Sequence, residues 1–170
     1  MGWTEKEQQE LNEILKKYPP DRKMSAVLPA LYLAQREKNS LDDDDIKAVA
    51  EALDISVTHV HSVIGFYTLF RKEQTGKYMV QVCTDLPCAL RGAEAFYKRL
   101  VERMGLGPHG GTTPDNLFTV EEVVCLVACD KSPMCQINLK YYEDLTDEKI
   151  DAILDDLRQQ ALQEEQAKTK

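Results

Sequence analysis

The chemistry of this chain is concentrated in its cysteines. Cys83 and Cys88 stand in "QVCTDLPCALRG" with four residues between them. Cys125 and Cys129 stand in "VVCLVACDKSPMCQIN" with three between them, and Cys135 follows. Thiols can pack as small apolar groups, join as disulfides, cycle as a redox pair, or lose their protons to hold a metal. Disulfides need an oxidising compartment, and the opening "MGWTEKEQQELNEILKKY" lacks the apolar centre of an export signal. A thioredoxin-type redox pair uses Cys-x-x-Cys at a helix start, which neither spacing matches. Two spaced pairs and one left over suggest four ligands plus a spare, and Cys135 reads as core. Zinc knuckles use two to four intervening residues, so Cys83/Cys88 fits them only at the edge. A binuclear iron–sulfur cluster takes two thiolates per iron and suits looser loops, although the layout is not the plant-type ferredoxin spacing. Spacing favours the cluster and leaves zinc open. His59 and His61, two apart on a helix, point to different faces and read as surface or packing groups, while His109 has no assignable role.

The composition is that of a soluble globular chain of 170 residues, 43% apolar and 29% charged, long enough for one ordinary domain or two small ones. Its 29 acidic against 21 basic residues give a net charge of −8, which disfavours nucleic acid, because phosphate binding needs a basic face. No apolar run reaches membrane-spanning length, and a cytoplasmic location is the default. Asp42–Asp45 form an acidic run at a helix start, where they favour the positive end of the dipole; no calcium-loop spacing or glycine follows.

The elements that must position the thiols can be read from periodicity. Thr4 and Glu7 form a capping box for a first helix with Leu11, Ile14 and Leu15 on one face, stopped by Pro19-Pro20. A second helix is expected over 22–38, burying Met24, Val27, Leu28, Leu31, Tyr32 and Ala34, with Pro29 predicting a kink or restart near Val27. A third carries Ile46, Val49, Ala50 and Leu53 inward. A fourth, opening at Ser56 or Thr58, buries Val60, Val63, Ile64, Tyr67 and Phe70. The last two resemble a helix-turn-helix, but only Arg71 and Lys72 offer basic charge there, so DNA binding gains no support. After the turn at Gln74–Gly76 the pattern changes: "KYMVQVC" alternates as a strand, and a helix is expected from Ala89 to Met104. "LFTVEEVVC" is a second strand, "MCQINLKYY" supplies a third and a possible fourth, and a helix capped by Thr146 closes the unit before a fraying polar tail. The fold class is therefore α+β: a helical bundle at 1–72, a thioredoxin-like α/β domain at 76–160, and a polar tail at 161–170. Cys83 and Cys125 would end adjacent parallel strands, so both pairs meet at one sheet edge.

These segments, from "YPPDRKMSAVLPALYLAQREKNSLDDDDIKAVAEALDISVTHVHSVIGFYTLF" through "VEEVVCLVACDKSPMCQIN" to "YYEDLT", resemble the thioredoxin-like [2Fe–2S] subunit of the NADH-oxidising module of respiratory complex I. Related subunits serve NAD-linked hydrogenases and formate dehydrogenases. The resemblance implies Cys83, Cys88, Cys125 and Cys129 as ligands of one low-potential [2Fe–2S] cluster. It also implies a flavoprotein partner that binds FMN and NADH, further partners among the peripheral-arm subunits, and a place in the cytoplasm beside the inner membrane without a span of its own. The glycine-rich stretch "GLGPHGG" follows a helix rather than a strand and reads as a loop, not a nucleotide-binding turn, so FMN and NADH are assigned to the partner. Two positions depart from the family's pattern: Val127 stands where it has glycine, and Ser132 where it has alanine before proline. If that glycine serves a positive φ, a β-branched valine disfavours it and the loop must differ.

Overall fold

In the computed structural model, which describes residues 3–36 and 38–168, the first helix, α1 (Glu5–Leu15), starts on its capping box. The Thr4 hydroxyl accepts the Glu7 N–H, and the Glu7 carboxylate accepts the Thr4 N–H at 2.9 Å. The chain divides into two units, Met1–Thr75 and Gly76–Lys170.

In the first unit the expected second helix is two pieces. Pro20–Ala26 winds as a 3-10 helix with Arg22 off helical geometry, and α2 (Val27–Gln35) restarts at Val27. Pro29 falls at the third position of α2, where the missing N–H has no intrahelical acceptor to lose. α2 ends at Gln35, short of the expected 38, and Glu37 lies outside the described residues. Two of the expected core residues are exposed: Met24 at 52% and Tyr32 at 41%. Met24 sits on the 3-10 turn, whose three-residue period rotates it off the stripe drawn for an α-helix. α3 (Asp43–Leu53) is capped by Asp42, whose carboxylate accepts the N–H groups of Asp44 and Asp45; the acidic run is a helix start. Lys38 bonds both Asp42 and Asp45, and holds the Asp42 carboxyl down at about 2. α4 (Val57–Phe66) is capped by Ser56 and ends before Tyr67, which is therefore exposed rather than buried, while Phe70 returns to the core. Leu11, Leu31, Leu41, Ile46, Val49 and Val60 are fully buried at the centre of this unit.

The second unit is built on a five-stranded sheet of order β2-β3-β1-β4-β5. β1 (Tyr78–Cys83) pairs in parallel with β3 (Phe118–Val123) and antiparallel with β4 (Cys135–Ile137), which turns into β5 (Lys140–Tyr142). β2 (Gly111–Thr112) is a short edge strand against β3. Tyr78, Val80 and Val82 face one way, and with Phe118, Val120 and Cys135 they bury against the helices on that side. The single helix expected from Ala89 is two: α5 (Leu86–Ala89), then α6 (Ala93–Arg103), separated by Gly92 at φ +90°. Only glycine takes that conformation at little cost. α7 (Asp147–Lys168) begins where the Thr146 hydroxyl accepts the Lys149 N–H. It does not fray at 161: Ala161 is 4% exposed and extends the stripe of Ile150, Leu154 and Leu157, whereas residues 169–170 lie outside the described set. On the opposite sheet face, Gln136 donates to Gln81 at 3.0 Å and Gln81 to Glu121 at 2.9 Å, a polar row across β4, β1 and β3. Among the described residues no helix is long and apolar enough to cross a membrane.

Candidate metal centre

The register of the parallel pair sets the site. Cys83, the last residue of β1, lies opposite Val123, the last of β3, and Thr84 extends the ladder by donating to the Val123 carbonyl at 3.1 Å. Both chains therefore leave the sheet at one edge. The Cys83 N–H turns to the other neighbour, the Met134 carbonyl, at 3.4 Å.

From β1 the chain enters α5 through Asp85, with Pro87 and then Cys88 in its single turn. Four residues make a weak dipole, so the long helix expected to begin at Ala89 does not supply one at this point. Cys83 and Cys88 are almost completely buried, 1% and 0% exposed, in a small cluster with Ala93 and Met134. Burial pushes the Cys83 thiol above its ordinary range, and the neighbouring Cys88 thiol adds to this. The backbone N–H groups of Asp85 and Leu126 beside the Cys83 sulfur pull the other way, because they favour the thiolate.

The second pair is arranged differently. β3 stops at Val123, two residues before Cys125, so Cys125 is on an outgoing arm and not at the strand end. Cys125 is exposed and Cys129, which opens a 3-10 turn (Cys129–Lys131), is half-buried. Between them Leu126 and Ala128 pack down on the Cys83/Cys88 cluster, while Val127 stands 85% exposed. Val127 has φ +57°, so the loop keeps the conformation that glycine would take instead of avoiding it, as the valine had suggested. The left-handed region costs an L-residue about 1–2 kcal/mol, and a β-branched one has least tolerance for it. The Tyr141 hydroxyl donates to the Leu126 carbonyl at 2.8 Å, a contact that no periodicity could reveal because it depends on the hairpin's register. Ser132 does not aim at a sulfur: its hydroxyl faces the Cys88 carbonyl oxygen at 3.4 Å.

The structure thus brings Cys83 and Cys88 into contact and hangs the Cys125–Cys129 arm over them. Among the described residues no three Cys, His, Asp or Glu side chains gather closely enough to hold a metal ion, so the two thiol pairs lie on neighbouring segments without closing on one point. The donors come as thiol pairs, the inner one on an apolar floor of Met134 and Ala93, and two thiolates per metal is the donor chemistry that a two-iron sulfur cluster takes. Cys135 is separate. It lies in β4 within the main core, and burial alone pushes its thiol up to about 12. His59 and His61 are half-buried on α4 in the first unit, and His109 is exposed in the turn before β2.

Comparison with known proteins gives a consistent result. Residues 11–158 match the model of the family described as thioredoxin-like [2Fe-2S] ferredoxin. The E subunit of the Rickettsia bellii NADH-quinone oxidoreductase is 44% identical over 147 residues, 86% of this chain and 87% of that protein. NADH-quinone oxidoreductase subunit 2 of Thermus thermophilus is 38% identical over 159 residues, 93% of this chain and 87% of that protein. The crystal structure of an air-oxidised NAD+-reducing [NiFe]-hydrogenase superposes with a TM-score of 0.65 at 19% identity, over 77% of this chain and only 23% of the hydrogenase chain. At that identity the likeness carries the fold, not the activity.

Proposed function

This chain belongs to the thioredoxin-like [2Fe-2S] ferredoxin family, and from that premise we propose that it is the electron-carrying E-type subunit of an NADH-quinone oxidoreductase. In this reading Cys83, Cys88, Cys125 and Cys129 hold one [2Fe–2S] cluster. One observation carries it: the parallel register Cys83–Val123 sends both thiol-bearing segments out of the same sheet edge. When bound, the cluster supplies a place where one electron at a time is taken up and given back. The chain's own residues hold and tune it. Four thiolates make the site anionic, and the N–H groups of Asp85 and Leu126 offset charge at Cys83 without carrying a proton that could be lost. Met134, Ala93, Leu126 and Ala128 keep water from the inner pair. No side chain is asked to act as acid, base or nucleophile.

The electron source is assigned to a flavoprotein partner that binds FMN and NADH, which splits a two-electron hydride into single electrons. Leu86 and Leu90 on the first thiol segment, with Val124 and Val127 on the second, are 70–85% exposed. Apolar groups gathered around a site in this way suit burial against another subunit. The relatives named above favour a quinone-linked complex over a hydrogenase or formate dehydrogenase.

The test is metal and acid-labile sulfide analysis of the purified chain, followed by electron paramagnetic resonance after dithionite. The reading expects equal iron and sulfide and a reduced-state signal that Cys83→Ala or Cys125→Ala abolishes. Zinc in place of iron, or a signal indifferent to both changes, would sink it.

A further inference from the structure

The arm between the second pair of thiols has little backbone support. From Val124 to Ala128, among the described residues, its one backbone–backbone hydrogen bond is at the end, where the Ala128 carbonyl accepts the Lys131 N–H at 3.0 Å. In the middle sits Val127, left-handed at φ +57° and too exposed for packing to hold it there. A strained residue persists only where its surroundings fix it. The conformation would relax by rotation of the peptide plane between Leu126 and Val127, which carries Val127 φ back to negative values. That same plane bears the Leu126 carbonyl, and it is this oxygen that the Tyr141 hydroxyl holds at 2.8 Å.

Tyr141 has a firm base from which to do so. Its strand, β5, pairs with β4 through Gln136–Tyr141, and the hairpin turn is tied to β1 by Asn138, which accepts the Met79 N–H and donates to the Lys77 carbonyl, both at 2.9 Å. Beyond the strand, Asp144 and Leu145 donate to the Lys131 and Pro133 carbonyls at 2.8 Å. On the arm, the residue that Tyr141 holds lays its side chain on the Cys83/Cys88 cluster, and the Val124 carbonyl two residues earlier accepts from the Cys83 thiol at 3.5 Å.

We propose that Tyr141 is a positioning residue for the cluster site: its hydroxyl locks the Leu126–Val127 peptide against the relaxation that Val127 favours, and so keeps the Cys125–Cys129 arm over Cys83. The proposal rests on the ligand assignment above for its consequence, though not for the latch itself. Removing the hydroxyl leaves the Leu126 carbonyl to water and frees the peptide to turn. Glycine at 127 occupies the left-handed region without strain, so it removes the need for the latch.

The experiment compares the full chain with Tyr141→Phe, Val127→Gly and the double variant. Tyr141→Phe should lose iron to a chelator about fivefold faster, the factor equivalent to one ordinary hydrogen bond of about 1 kcal/mol, and its reduced paramagnetic signal should broaden as the arm takes more than one arrangement. Val127→Gly should behave as the parent chain, and the double variant should recover both its iron retention and its sharp signal. Equal loss rates for Tyr141→Phe and the parent, or a double variant as leaky as Tyr141→Phe, would overturn the proposal. Amide hydrogen exchange over 124–128 judges the latch without reference to iron: exchange should rise in Tyr141→Phe and fall back toward Val127→Gly in the double variant, and unchanged exchange counts against it. A parent chain without iron would refute the cluster while leaving that second readout to decide on Tyr141.

Discussion

Thiol alkylation separates the four cysteines assigned as ligands from the fifth, and the structure sets the order of reaction. Iodoacetamide reacts with the thiolate, so the rate depends on both access and acidity. Cys135 is fully buried in β4, and its thiol is pushed up to about 12. At pH 8 its thiolate fraction is about 10⁻⁴, against about 10⁻¹ for an ordinary free thiol, roughly a thousandfold handicap before burial blocks the reagent. Cys125 is exposed and Cys129 half-buried, whereas Cys83 and Cys88 lie beneath the arm. Mass spectrometry after timed labelling should therefore give Cys125 first and Cys135 last in iron-depleted, reduced protein. In the iron-loaded protein Cys125 should be protected despite its exposure, because metal and not burial then withholds it. Labelling of Cys125 at one rate in both forms would remove it from the ligand set. Labelling of Cys135 as fast as Cys125 would show that the sheet core is open.

The same buried thiol gives a pH dependence whose sign is set by its raised value. Below about 9, the ordinary value for a thiol, Cys135 is protonated in both folded and unfolded chains; between there and about 12 only the unfolded chain loses the proton, so stability falls by about 1.4 kcal/mol per pH unit. Denaturation midpoints at pH 9, 10 and 11 should decline more steeply in the parent than in Cys135→Ala, and parallel declines would refute the burial argument. Gly110→Ala should be severely destabilising, by about 3 kcal/mol or more, because its Cβ would meet the Val120 carbonyl oxygen at 2.1 Å with φ at +78°; a melting temperature within a few degrees of the parent would contradict this. Ser132→Ala should shift stability by no more than about 0.5 kcal/mol and leave the reduced spectrum unchanged, since its 3.4 Å contact is long and the Cys88 carbonyl keeps the Arg91 N–H at 3.0 Å. A displaced spectrum would mean that the hydroxyl reaches a sulfur.

Local signals read well where local physics decides. Thr4/Glu7 and Ser56 are caps because their side chains satisfy N–H groups within three residues, and Pro29 forces a restart whose position follows from its missing donor. The strands at Tyr78 and Phe118, and hence the shared edge for the thiols, follow from alternation plus an intervening helix. Other features depend on contacts between distant residues. β2 is two residues long and exists only because β3 is beside it. Tyr67 fits a helical period that ends one residue earlier, at Phe66. The polarity of "ALQEEQAKTK" hides the end of α7, although Ala161 continues the three-and-four spacing from Ile150. At the site, the unequal burial of the two pairs has no local signal, because it arises from Leu126 and Ala128 folding back over Cys83. Val127 shows the limit of a propensity argument: valine disfavours the left-handed region, yet it adopts φ +57° here.

The parallel pairing of β1 with β3 also governs how the chain matures. Nothing local draws Cys88 toward Cys125; thirty-six residues, including the whole of α6, must first be laid down as a crossover. Contacts of such separation form late in folding, since loop closure precedes its reward. Ferrous iron offered to a nascent chain meets two isolated dithiol loops, each free to capture metal alone or bridge to a neighbouring molecule. With the four ligands proposed above, productive loading waits for a closed sheet, and cofactor retention becomes a report on completed topology.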